Sequence, residues 1–344
     1  MNRILIILWC CVLVACGTTQ LVETDPKAVS NPETPVDGPE GLKSELPKDW
    51  KELNVESFTS PGHMESLMTF FASDALEGRD SGSQGIELAA RYIEEFFKNQ
   101  DIGPYYETYR DTLGNYEKPA YNIVGVLPGI DDILKEEYII IGAHYDHIGI
   151  IDPENGDTIA NGANDNASGT VTVLELARYF AKNKNNHRSL IFVLFSAEEK
   201  GLLGSKHLAQ RMKGEALNLY VMLNFEMTGV SMDSRNYQLY ITGYEKSNLA
   251  EVSNAHRGKD IIGFLPTAKK YGLFQRSDNY PFFNEFGVPS HTFCSFDFTN
   301  FAYYHKVGDE ISTMDFDHMA RVVNNMIPIV KGITNAPNQE IKMN

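Results

Sequence analysis

Residues 190–201 read LIFVLFSAEEKG. The run from Leu190 to Phe195 is apolar without alternation, the pattern of a strand buried on both faces; a strand with one wet face alternates. It is followed at once by two adjacent glutamates, Glu198 and Glu199. A carboxylate beside a dry core is costly to desolvate unless a cation or hydrogen bonds compensate its charge. This one strand end therefore raises the question of fold and the question of chemistry together.

Outward from it, similar runs alternate with helical spacing. Gly85 to Asn99 carries apolar residues at 86, 89, 92, 93, 96 and 97, one face of a helix. Strands are expected at 121–127, 138–141, 219–224, 237–241 and 287–293. Helices are expected after Ser168, after Gly201 and over 315–333. Unalternating strands separated by amphipathic helices imply a sheet covered on both faces. The expected fold is a single α/β domain over residues 47–344, with a mixed, mostly parallel central sheet. Such sheets place their sites at strand ends.

The N-terminal part reads differently. Arg3 precedes an apolar stretch from Ile4 to Ala15 that is too short to span a bilayer. The sequence Leu13-Val14-Ala15-Cys16-Gly17 resembles the lipobox of bacterial lipoproteins, which implies a signal peptide over 1–15 and acylation of Cys16. Residues 16–46, with prolines at 26, 32, 35 and 39, lack the periodic apolar pattern of a folded segment and are expected to form a disordered tether. The expected location is the cell envelope, held to a membrane through Cys16. Cys10 and Cys11 would leave with the signal, and Cys294 is expected to be a small core residue, so no disulfide is anticipated. A net charge of -16 argues against a nucleic-acid surface.

Four further segments carry metal-binding side chains beside apolar runs. They are GAHYDH at 142–147, NGANDNASG at 161–169, NFEMTG at 224–229 and YYHKVGDE at 303–310. Each alone has a plain reading, such as a surface His-Asp pair or an Asx turn capping a helix. In an extended segment His144 and Asp146 project to the same side. Their joint occurrence at the ends of buried runs is not the pattern of surface decoration.

The order GAHYDH, GANDNASG, SAEEKGLLGS, NFEMTG, YHKVGDE resembles the M28 family of zinc aminopeptidases. The resemblance extends to Leu76-Glu77-Gly78-Arg79 with Gly82, and to Ser277-Asp278-Asn279, so it covers about residues 74–315. It implies two zinc ions per chain, with Asp165 bridging them. His144 and Glu226 would complete one site, and Glu199 and His305 the other. It further implies Glu198 as general base and Asp146 holding His144 from behind. Asp278 would stand at the substrate's amino end, and Tyr304 or Tyr303 would donate to the tetrahedral intermediate. An N/O ligand set without thiolate suits catalytic zinc. Two positions depart from the family pattern: Glu226 stands where many relatives have aspartate, and Asn279 where many have histidine.

The implied activity is an aminopeptidase acting on peptides. A glutaminyl cyclase and a carboxypeptidase or dipeptidase share the fold, and a peptide-binding surface lipoprotein is the reading outside catalysis. His147 is expected to flank the site and His291 to be a satisfied structural histidine. His63, His187, His207, His256 and His318 are expected at the surface.

Overall fold

Burying a fully apolar strand stabilises the fold by about 1.5–3 kcal/mol per large side chain, and for both sets of side chains only if both faces are covered. The computed structural model describes residues 57–232 and 234–344, and the signal, lipidation and tether expectations for residues 1–46 lie outside them. The strands are β1 Gly103–Pro104, β2 Arg110–Thr112, β3 Tyr121–Leu127, β4 Tyr138–His144, β5 Gly149–Glu154, β6 Asp157–Ala160, β7 Ser189–Phe195, β8 Leu219–Glu226, β9 Leu239–Ile241, β10 Ile262–Gly263 and β11 Ser290–Cys294. The helices are α1 Pro61–Phe71, α2 Gln84–Asn99, α3 Gly169–Asn183, α4 Leu203–Gly214, α5 Leu249–Arg257, α6 Pro266–Lys270, α7 Asn279–Phe286 and α8 Phe316–Asn335.

The main sheet has the order β1-β3-β7-β4-β8-β11-β9-β10, with β2 also paired to β3. Its centre, β7-β4-β8-β11, is parallel, and β3 and β9 join antiparallel at either side. The sheet is thus mixed and mostly parallel, with helices on both faces. Successive residues of β7 supply opposite cores. Leu190, Phe192 and Leu194 pack beneath α1, α2, α3 and α8, whereas Ile191 and Phe195 pack with Leu208, Met212 and Phe282 from α4 and α7.

The chain leaves β4 for β7 on one side and then crosses to β8 on the other, so β4 lies between them. The C-terminal ends of these neighbouring parallel strands are adjacent, the place where such sheets bind ligands. His144 is level with Phe195, and Glu226 with Cys294.

β3 occupies 121–127 as expected, and β4 runs three residues further than its apolar core, to His144. The strand expected at 287–293 forms over 290–294, and the one at 237–241 is shortened to 239–241. Helix α1 and the β5–β6 hairpin were not expected. Both carry local signals, a Ser60 cap with proline in the first turn and an Asn155-Gly156 turn. His318 is a correction: it is fully buried, because α8 packs against α1, α3 and α5 on the face that carries it. Among the described residues no helix is long and apolar enough to cross a membrane.

Candidate metal centre

Two loops are stitched together at the strand ends. In the segment Ala163–Ser168, the Asn164 side chain accepts from Gly229 N (2.9 Å), Asn166 from Met227 N (3.0 Å), and the Ser168 hydroxyl from Thr228 N (2.9 Å). The Asn166 side chain also donates to Phe225 O (3.0 Å) and accepts from Gly169 N (3.1 Å), so Asn166 rather than Ser168 caps α3. This ladder places Asp165 beside the end of β8, where Glu226 projects. Gly162 opens the loop at φ 57°, and a Cβ there would lie 2.3 Å from Asp165 O and 2.5 Å from the His147 ring. Only glycine fits this position.

Asp165 stands between two imidazoles. Its Oδ1 lies 3.4 Å from His144 Nε2 and its Oδ2 3.1 Å from His305 Nε2. Burial opposes ionisation, but hydrogen bonds from His144 and His305 hold the carboxyl well below its ordinary value. Glu199 meets the same group, with Oε2 3.3 Å from His305 Nε2 and Oε1 2.8 Å from His147 Nδ1. Despite burial and repulsion from Asp165, His147 and His305 pull its pKa down to about 2. His305 is pushed up to about 10, its burial outweighed by bonds to Asp165 and Glu199.

One nitrogen or oxygen from each of His147, Asp165, Glu199 and His305 falls within 4.8 Å of all the others. His147 is therefore part of the cluster rather than its flank, and its Nε2 is buried without a hydrogen-bond partner. Its signal in the sequence was histidine three residues beyond His144, where the chain has left β4 and period-two reasoning no longer applies.

The other expected residues gather next to this group. Glu226 is half-buried, but its Oε2 is shielded and has no hydrogen-bond partner, and desolvation raises its pKa to about 7. Burial likewise raises Glu198 well above its ordinary value; His144 opposes the shift, while Glu226, Asp278 and Glu199 add repulsion. Several largely desolvated acids thus crowd together with too little positive charge, an arrangement that bound cations relieve.

Asp146 acts differently from expectation. His144 Nδ1 bonds the Asp146 main-chain oxygen at 3.1 Å, and the carboxylate lies 3.8 Å from it. That carboxylate instead accepts Glu198 N (3.1 Å), Glu199 N (3.3 Å) and the Ser81 hydroxyl (3.0 Å). It clamps the turn that carries both glutamates, beside Ala197 at φ 57°.

Asp278 is also a correction. It is fully buried behind the cleft wall rather than open to a substrate amine. Burial raises its carboxyl to about 7, and the Ser205 hydroxyl beside it donates to Leu202 O at 3.3 Å. Asn279 is structural: its side chain donates to Phe274 O and Ser290 O and accepts from Thr292. His291 is satisfied as expected, between Thr242 O (2.8 Å) and the Ser247 hydroxyl (2.7 Å).

A cleft of about 430 Å³ opens over the cluster, lined by Asp165, Glu198, Glu199, Glu226 and His305. Tyr304 borders it, stacked on His305 with ring centroids 4.0 Å apart, whereas Tyr303 packs on Phe301 away from it. Cys294 also lines it, its thiol pushed up to about 12 by burial and lying near the Met227 and Phe296 main-chain oxygens.

Residues 122–330 match the family model described as peptidase family M28. The chain belongs to peptidase family M28. A probable leucine aminopeptidase of Trichophyton verrucosum is 30% identical over 226 residues, 63% of this chain and 57% of that protein. This M28 chain thus aligns with little more than half the length of that curated relative. Among solved structures, the LapA aminopeptidase of Legionella pneumophila superposes with a TM-score of 0.63 at 20% identity, covering 87% of this chain and 79% of that one. A glutaminyl cyclase of Bacteroides thetaiotaomicron gives 0.59 at 17% identity, covering 81% and 99%. At such identities the superpositions establish the shared α/β fold. Within the M28 fold, the metal-type side chains lie together at the ends of β4, β7 and β8.

Proposed function

We propose that this chain is a di-zinc aminopeptidase that hydrolyses the first bond of peptides with a free amino terminus. The observation that carries this reading is Asp165, whose two oxygens face His144 on one side and His305 on the other. A carboxylate so placed suits a bridge between two ions. His144, Asp165 and Glu226 would hold one zinc, and Asp165, Glu199 and His305 the other, with His147 adjoining the second. The orphaned Glu226 oxygen and the imidazole and carboxylate donors of the cluster fit this ligand set. Glu226 reaches further than the aspartate of many relatives.

Bound zinc supplies Lewis acidity toward the scissile carbonyl and lowers the pKa of a water molecule. The chain's own work is proton handling and orientation. Glu198 takes a proton from the attacking water on its carboxylate and delivers it to the nitrogen of the departing amine. Asp146 fixes the turn so that Glu198 faces the cleft while Glu199 faces His305. The Tyr304 hydroxyl stays protonated, since burial and the nearby carboxylates raise its pKa, and so remains a donor for a developing oxyanion. In the same proposal, acylated Cys16 holds the domain to a membrane of the cell envelope, with peptides as its partners.

A single-zinc glutaminyl cyclase is the second reading. It is favoured by the compactness of the His147, Asp165, Glu199, His305 group and by the likeness to a cyclase fold. Aminoacyl-p-nitroanilides and glutaminyl peptides distinguish them. The aminopeptidase reading expects p-nitroaniline release that a chelator abolishes and zinc restores. Cyclisation of glutaminyl peptides without release from any p-nitroanilide supports the cyclase, and neither activity supports a binding protein.

A further inference from the structure

The cleft is not walled uniformly. One part is aromatic, formed by Phe296, Phe298 and Tyr304, with Phe296 stacked on Tyr304 and tilted against Phe298. The lining also carries two exposed cations, Lys206 and Arg276. Their neighbours bring them to one wall: Ser205 lies beside the Asp278 carboxyl, so the first turn of α4 meets the turn that precedes α7. Lys206 Nζ donates to Gly201 O at 2.8 Å, which ties it to the loop carrying Glu198 and Glu199. Arg276 is one residue from Ser277, the polar neighbour of Glu226.

Arg276 differs from several other described arginines, wherever they lie in the fold. Arg110, Arg178, Arg188 and Arg211 each pair with a carboxylate. Among the described residues no carboxylate pairs with the Arg276 guanidinium, in a chain with 46 acids against 30 lysines and arginines. An unpaired guanidinium at a cleft wall is a ready bidentate partner for a planar anion of the ligand. The four carboxylates of the cleft are directed to the metal cluster and the proton transfer, which leaves these two cations for the ligand.

We propose that Arg276, assisted by Lys206, forms a carboxylate-binding subsite. The substrate's first side chain would then lie on the aromatic wall, and a carboxylate just beyond the scissile bond on the cationic one. This rests on the exopeptidase reading and narrows its substrates to short or acidic peptides. The carboxylate has two possible sources, the C-terminus of a dipeptide or the side chain of an acidic second residue.

The test compares wild type, Arg276→Ala and Lys206→Ala on Leu-Leu against Leu-Leu-amide, and on Leu-Glu-amide against Leu-Gln-amide. Leucine p-nitroanilide, which has no carboxylate, is the common reference. Wild type should favour a carboxylate substrate through KM by ~10- to 100-fold, and Arg276→Ala should erase that ratio. Lys206→Ala should reduce it. Preference for Leu-Leu alone identifies the C-terminus as the source, and preference for Leu-Glu-amide alone identifies the side chain; either supports the subsite. Equal KM values within both pairs in wild type overturn it, as does an Arg276→Ala loss that is the same on all substrates. If leucine p-nitroanilide is not turned over, the exopeptidase reading fails by itself. Calorimetric binding of the same peptide pairs then decides the subsite: tighter binding of the acid that disappears in Arg276→Ala supports it, and equal binding overturns it.

Discussion

Asp309 offers a direct test of how the site is held together. Its carboxylate accepts Asn164 N at 2.7 Å and Asp165 N at 3.0 Å, and its main-chain oxygen accepts Ala163 N at 3.0 Å. It is fully buried, and it follows His305 by four residues, so it straps the His305 loop to the Asp165 loop. Arg79, buried beneath, donates to the main-chain oxygens of Tyr145, Asn161 and Gly162, and Asp309 is its leading favourable charge. Asp309→Ala removes two charge-assisted hydrogen bonds, leaves two buried N–H groups without acceptors, and strips Arg79 of its main counter-charge. The expected loss is roughly 3–5 kcal/mol, a large share of a typical domain's stability. Asp309→Asn retains one acceptor but sets an NH2 against the other N–H, and should lose about half as much. Guanidinium denaturation should show a lower midpoint at unchanged slope, and zinc competition with a chelator should show weakened affinity in the same order. If Asp309→Ala unfolds within 1 kcal/mol of wild type and binds zinc equally well, the strap does not exist as described.

Glu198→Gln should retain its metal and lose ~10²- to 10⁴-fold in kcat, while Glu199→Gln should lose metal; equal metal content in both, by elemental analysis, refutes the division of labour. His291 is held neutral by burial, with its pKa lowered from 6.5 to about 4. The unfolded chain therefore binds the extra proton between those values. The contribution is complete above pH 6.5 and fades as pH falls toward 4, by about 3 kcal/mol. His291→Gln should flatten that part of the stability curve, and an unchanged pH dependence refutes the assignment. Gly162→Ala forces a Cβ onto Asp165 O and the His147 ring, so its zinc affinity should fall well before its far-ultraviolet spectrum changes; full affinity would show that the loop tolerates the side chain.

The strands that build the site were legible because each is buried on both faces. Their apolar runs are continuous, and the acids just past them, Glu198, Glu199 and Glu226, stand out against them. Helix α2 was legible from its spacing alone. What escaped depends on contacts distant in sequence. Nothing local in Asp146-His147 says that the aspartate clamps the 198–199 turn while the histidine joins Glu199; both facts need β4 and β7 side by side. Asp278 reads like a site residue from its place in a motif, but the packing of α4 against α7 buries it. His318 has the polarity of a surface residue, yet α8 turns that face toward three other helices. Asp309 carried no signal beyond being an acid near a histidine, since its partners are main-chain groups of a loop about 145 residues away.

The proposed pairing of two ions on Asp165 is most directly tested by counting them. Protein equilibrated with zinc and dialysed against metal-free buffer should retain two ions per chain by elemental analysis. Glu226→Ala should retain one, and so should His305→Ala. One ion per chain in wild type, undiminished by Glu226→Ala, would contradict the bridged pair and leave the single group of His147, Asp165, Glu199 and His305 as the metal centre.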